Sequence, residues 1–133
     1  QVLEYNATIA HQLDPEEERC LTALNMTRVL LGLEALRLDM AAVEAARGHS
    51  TDMAEHSFFS HESPIAGKRS FTDRAKLAGT TASGENIAAG SRRGFDTNLQ
   101  WFHSPGHHRN MLSKHVRVGI GKSGKHWTEL FGR

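Results

Sequence analysis

The chain has 133 residues, 38% hydrophobic and 23% charged, which fits one domain with a real core and argues against a disordered chain. Sixteen basic residues against fifteen acidic ones leave a formal charge of +1, so charge gives no case for nucleic acid as a partner, and no apolar run approaches the roughly 20 residues that span a bilayer. One cysteine, Cys20, rules out an intrachain disulfide, so packing alone must hold the fold.

Residues 1–13 show no clear period and read as an N-terminal arm before a domain at 14–133. Asp14-Pro15 followed by Glu16, Glu17 and Glu18 is a helix start, because Asp caps, Pro suits the first turn and acids favour the positive end of the dipole. This helix runs to about Leu31, stops at Gly32, and offers Leu21, Leu24 and Leu31 as a buried stripe. Asp39 caps a second helix from Met40 to about His56, whose narrow face of Val43, Ala46, Ser50, Met53 and Ala54 invites close packing. Phe58 to Pro64 breaks the pattern and reads as a loop. Ser70 caps a third helix, Phe71 to Leu77, stopped by Gly79, and Gly84 to Gly90 is a short strand bounded by glycines. A fourth helix, about Asp96 to Phe102, ends before Pro105, leaving Ser104 to His107 as a rigid turn. Arg117–Lys122 and His126–Phe131 read as two strands joined at Ser123-Gly124. Val118 and Ile120 alternate with glycines on one strand, and Trp127, Glu129 and Phe131 share a face of the other. Helices first and strands late make the class α+β.

Two Asn-x-Thr triplets, at Asn6 and Asn25, are common by chance, and neither is taken as glycosylation. Nine histidines stand out, since imidazole is the commonest metal ligand and the usual acid–base group near neutral pH. Their spacing yields no local metal motif. His49 and His56 lie two turns apart, about 10.5 Å along one helix, too far to share an ion, and His49 reads as a packing or capping residue. Pro105 breaks the helical face between His103 and His107. Any site must therefore join distant segments. Three look able to build one: Phe59-Ser60-His61-Glu62-Ser63-Pro64, Gly84-Glu85-Asn86 and Ser104-Pro105-Gly106-His107. Within Gly84-Glu85-Asn86, Asn86 has a structural reading as a tie between loops. Ser104 lacks a nucleophile-elbow pattern and reads as a helix-end or turn-start residue. Cys20 reads as packing, and Trp101, Trp127 and Phe131 as core or cleft-wall residues.

These segments resemble the CAP superfamily of cysteine-rich secretory proteins, antigen 5 and plant pathogenesis-related proteins, in its disulfide-free bacterial branch. The resemblance covers roughly Leu21 to Phe131. Its pieces occur in order: Leu24-Asn25 with Arg28; Gly32-Leu33, Leu36 and Asp39; His49-Ser50 with Asp52-Met53; Phe59 to Pro64; Arg74 and Gly79; Gly84 to Ala88; Trp101 with Ser104 to His107 and Asn110-Met111-Leu112; Val118 to Gly121; and Trp127-Thr128. It implies a three-layer α-β-α sandwich with a small antiparallel sheet, and a secreted or cell-surface setting. It also implies a cleft lined by two histidines and two glutamates. By position these are His61, His107 and Glu85, while the second glutamate is replaced by Ser104. His108 is an alternative to His107, but Asn110-Met111-Leu112 favours His107.

The expected function is an extracytoplasmic binding module, with His61 and His107 able to hold a divalent metal such as zinc. The alternative is a metal-dependent, protease-like hydrolase in which Glu85 polarises a water. The partner would be a lipid, small molecule or protein bound by a monomer that does not span a membrane. Whether His61, Glu85 and His107 are catalytic stays open at this point.

Overall fold

The computed structural model describes all residues, 1–133. Its elements are α1 (Val2–Ile9), α2 (Pro15–Leu30), β1 (Arg37–Leu38), α3 (Met40–Glu55), α4 (Phe71–Ala78), β2 (Gly84–Ala89), α5 (Gly94–Phe102), α6 (Pro105–Leu112), β3 (Arg117–Ser123) and β4 (His126–Gly132). The four strands form one sheet in the order β1-β3-β4-β2. β2, β4 and β3 are antiparallel, and β1 adds a two-residue parallel edge beside β3.

The helix starts follow local chemistry. Asp14 and Glu17 form a reciprocal capping box on α2, Ser70 and Asp73 form another on α4, and Asp39 caps α3. Gly79 closes α4 in the left-handed region at φ 87°, where glycine carries no Cβ penalty.

The alternation in β3 sets the layers. Val118 and Ile120 point into a core with Leu21 and Leu24 of α2, Trp101 of α5, Met111 of α6, and Trp127 and Phe131 of β4. Gly119 and Gly121 face the opposite way, against the α3 backbone. A Cβ on Gly119 would lie 2.2 Å from the Ala42 carbonyl carbon, and one on Gly121 2.2 Å from the Arg47 nitrogen. Only glycine lets α3 sit this close. The second core joins Ala42, Ala45 and Ala46 of α3 to Ala75 of α4 and Leu130 of β4. The sheet thus separates α3 and α4 from α2, α5 and α6, which gives the α-β-α sandwich. The small-residue face of α3 uses Ala42 and Ala45, while Ala54 is exposed.

Three expectations are corrected. The segment read as an arm is helical over Val2–Ile9 because it has a tertiary partner: Asn6 donates to the Leu36 carbonyl and accepts from the Leu38 N–H. Asn25 brackets the same strand, donating to the Leu36 carbonyl and accepting from its N–H. Both triplet asparagines are therefore buried clamps on β1. Leu31 leaves the expected stripe and is 56% exposed, since it is already the C-cap of α2. The turn at Ser104–His107 is instead the start of α6, because Pro105 occupies its first turn, where no N–H is needed.

Candidate functional site

Three structural pieces converge on one cleft. His61 comes from the loop between α3 and α4. That loop leaves α3 through Ser57 at φ 54°. It is pinned one residue before His61, where His49 Nε2 donates to the Ser60 carbonyl at 2.9 Å. Glu85 is the second residue of β2, opposite Leu130, which places it on the α3–α4 side of the sheet. His107 sits in the first turn of α6, with Ser104 as the N-cap.

The cleft has a volume of about 550 Å³, lined by Phe59, His61, Ile87, Trp101, Ser104 and His107 among others. His61 Nδ1 lies 2.8 Å from Glu85 Oε1, and His107 Nδ1 lies 2.9 Å from Ser104 Oγ. Ser104 turns its hydroxyl to that ring instead of capping the helix backbone. Burial, and then the proximity of His61, pushes the His107 imidazole below its usual range, so it is neutral at neutral pH.

Of the four expected cleft residues, His61, Ser104 and His107 line it, while Glu85 is buried behind His61 and does not. Glu85 has no free oxygen, because Arg74 Nη2 bonds Oε2 at 2.7 Å while His61 bonds Oε1. No group of three His, Cys, Asp or Glu side chains is placed to hold a metal ion. Each of the two cleft imidazoles is held through Nδ1 by one neighbour, Glu85 for His61 and Ser104 for His107. His108 is turned elsewhere, donating from Nδ1 to the Phe102 carbonyl at 2.8 Å and packing on the Phe102 ring.

Asn86 ties the floor together. Its amide donates to the His107 carbonyl at 3.1 Å and to Glu129 at 3.2 Å, while its oxygen accepts from Asn110. His49 is fully buried as the packing histidine expected, and its Nδ1 has no partner. Burial pushes its imidazole below the ordinary range.

Two participants escape a sequence reading. Arg74 had no assigned role, because it meets Glu85 only once α4 packs on the sheet. Glu129 is a buried acid, and its signal was its alternation with Trp127 and Phe131. Burial pushes its carboxyl up to about 8.

Residues 21–129 match the model of the CAP family, described as the cysteine-rich secretory protein family. Two curated relatives come from Bacillus subtilis (strain 168). The uncharacterized protein YkwD is 34% identical over 120 residues, covering 86% of this chain and 46% of that protein. The uncharacterized membrane protein YlbC is 36% identical over 118 residues, covering 86% of this chain and 34% of that protein. The chain thus spans less than half the length of these relatives. Among solved structures, an extracellular protein containing an SCP domain from Bacillus anthracis superposes with a TM-score of 0.84 at 29% identity, covering 91% of this chain and 44% of that one. An outer surface protein from Borrelia burgdorferi shares the fold, with a TM-score of 0.76 at 17% identity over 91% of this chain and 96% of that one.

Proposed function

This chain belongs to the CAP family of cysteine-rich secretory proteins, and on that footing we propose that it is a binding module working outside the cytoplasm, its ligand seated in the cleft over His61, Ser104 and His107. One observation carries the reading. Both cleft imidazoles are anchored through Nδ1 and keep Nε2 without a protein partner, while the one carboxylate beside them is fully occupied. The apolar side chains Phe59, Ile87 and Trp101 line the same cleft and suit the body of a small or extended ligand. The setting is supported by structural neighbours described as extracellular and outer surface proteins. No helix is long and apolar enough to cross a membrane.

A hydrolase is the weaker reading. A general base needs an oxygen able to take a proton from water, and both Glu85 oxygens already have partners. Ser104 replaces the acid that could have supplied another. A divalent ion is compatible with the binding reading, held by His61 and His107 with its remaining positions open to water or ligand. Such an ion would supply a Lewis-acidic attachment point.

Zinc titration by calorimetry on the wild type and on the His61→Ala, His107→Ala double variant tests this. Saturable one-to-one binding in the wild type, lost in a folded variant, is the expected result. No binding in the wild type removes the metal from the proposal. A variant that loses only melting temperature points to a purely structural polar cluster.

A further inference from the structure

Arg74 is 4% exposed and does not line the cleft, yet it bonds both the acid that meets His61 and the backbone of the segment that follows it. Its Nη2 donates to Glu85 Oε2 at 2.7 Å. Its Nη1 donates to the carbonyls of Lys68 at 2.9 Å and Arg69 at 3.2 Å, in the segment that follows His61. The Arg69 carbonyl also receives the Ser63 N–H, which closes that loop on itself. On the other side of His61, His49 holds the Ser60 carbonyl. The loop backbone is therefore fixed at both ends, and the orientation of the His61 ring is left to Glu85.

The chemistry of the chain runs one way. A guanidinium has only donors and keeps its proton. Oε2 of Glu85 must accept from it and carries no proton of its own. The remaining oxygen, Oε1, faces His61 Nδ1 at 2.8 Å. With Oε2 committed to a cation, the proton of that second bond belongs to the imidazole. A neutral imidazole has one N–H. A neutral ring with that proton on Nδ1 leaves Nε2, on a side chain that is 54% exposed, as a lone pair.

We propose that Arg74 is the positioning residue of this cleft: through Glu85 it fixes His61 as the Nδ1–H tautomer, so that the cleft selects ligands bringing a hydrogen-bond donor to Nε2. A ligand offering an acceptor at that point is rejected, because two lone pairs then face each other. The ligand part of this inference rests on the cleft reading above. The tautomer part does not, and it is measured without any ligand.

The test is nitrogen-15 NMR of the imidazoles at about pH 8, above the usual histidine titration range. In the wild type the His61 proton is expected on Nδ1 by about tenfold or more. Glu85→Gln should invert the tautomer. The Gln carbonyl is drawn to Arg74, its NH2 group faces Nδ1, and Nδ1 must then accept. Arg74→Gln should lower the Nδ1–H preference several-fold, and Arg74→Lys, which keeps a cation, should restore most of it. A brace that merely supports the fold would leave the ratio unchanged in every folded variant. A wild type protonated on Nε2, an unchanged tautomer in Glu85→Gln, or a folded Arg74→Gln with the wild-type ratio each overturns the proposal. If Arg74→Gln does not fold, Glu85→Gln and Arg74→Lys decide it. Absent zinc binding with the expected tautomers would instead count against the metal reading of the cleft alone.

Discussion

Glu85 and Glu129 lie on neighbouring strands and on opposite faces of one sheet, and both are buried, 4% and 0% exposed. Glu85 faces α3 and α4 and meets a guanidinium on one oxygen and an imidazole on the other. Glu129 shares its face with Trp127 and Phe131. It receives one long bond from Asn86 at 3.2 Å, and its second oxygen has no partner. Burial alone pushes it up to about 8, so it holds a proton at neutral pH. A fold can bury an acid by pairing it or by neutralising it, and this sheet does one on each face. Pairing belongs to the face that feeds the cleft, where a charge orients His61. Neutralisation belongs to the packing face, where a charge would only be desolvated. The same face raises the thiol of Cys20, through burial and then through the nearby acids Glu129 and Glu17, so that this cysteine is a packing residue without thiolate chemistry.

The largest expected effect is at the paired acid. Arg74→Met leaves Glu85 buried without its cation and should lower unfolding free energy by roughly 3–5 kcal/mol in urea denaturation. A loss under about 1 kcal/mol would mean that Glu85 simply neutralises like Glu129, and the contrast between the faces would disappear.

The same substitution at the two acids comes next. Glu129→Gln should stabilise the protein by up to about 4 kcal/mol near pH 8, since an amide has no ionisation to suppress. Glu85→Gln should destabilise it by about 1–3 kcal/mol, having weakened two charge-assisted bonds. Equal signs would break the comparison.

The pH profile sharpens it further. The Glu129 carboxyl titrates near 4.5 in the unfolded chain and near 8 in the fold. Between those values the unfolded state binds fewer protons, so stability falls as pH rises, by a little over 1 kcal/mol per pH unit, and levels off above the folded value. Urea midpoints measured from acid to alkaline pH should show this descent in the wild type and lose it in Glu129→Gln.

The smallest effect has the opposite sign. Burial holds the His49 and His115 imidazoles below their ordinary 6.5. The unfolded chain therefore takes up their protons first, and the stability they contribute is present above that value and lost as pH falls below it. His115 donates from Nε2 to the Asn110 carbonyl and accepts from Ser83 at Nδ1. His115→Gln should make the acid limb shallower while leaving the alkaline descent intact.

Much of this was legible without coordinates. Asp14, Asp39, Ser70 and Gly79 act on the backbone within a few residues, so the ends of α2, α3 and α4 could be placed from their neighbours in sequence. The small-residue face of α3 foretold close packing against another element, and the alternating glycines of β3 are where it lands. His61, Glu85 and His107 could be named because their segments resemble a known family in order, not because their spacing requires a site. The helix α1 was hidden because its clamp, Asn6 on β1, lies thirty residues away in the chain. The helix α6 was hidden because a proline that ends one helix also begins another.

The sequence by itself determined where α2, α3 and α4 start and stop, which strand faces are apolar, and which acids alternate with aromatic residues. Tertiary structure alone decided what those acids are. Whether a buried carboxyl meets a guanidinium, as Glu85 does, or a lone amide, as Glu129 does, depends on which helix packs on which face of the sheet. Protonation and tautomer follow from groups within hydrogen-bond reach, and chain folding, not chain order, brings those groups together.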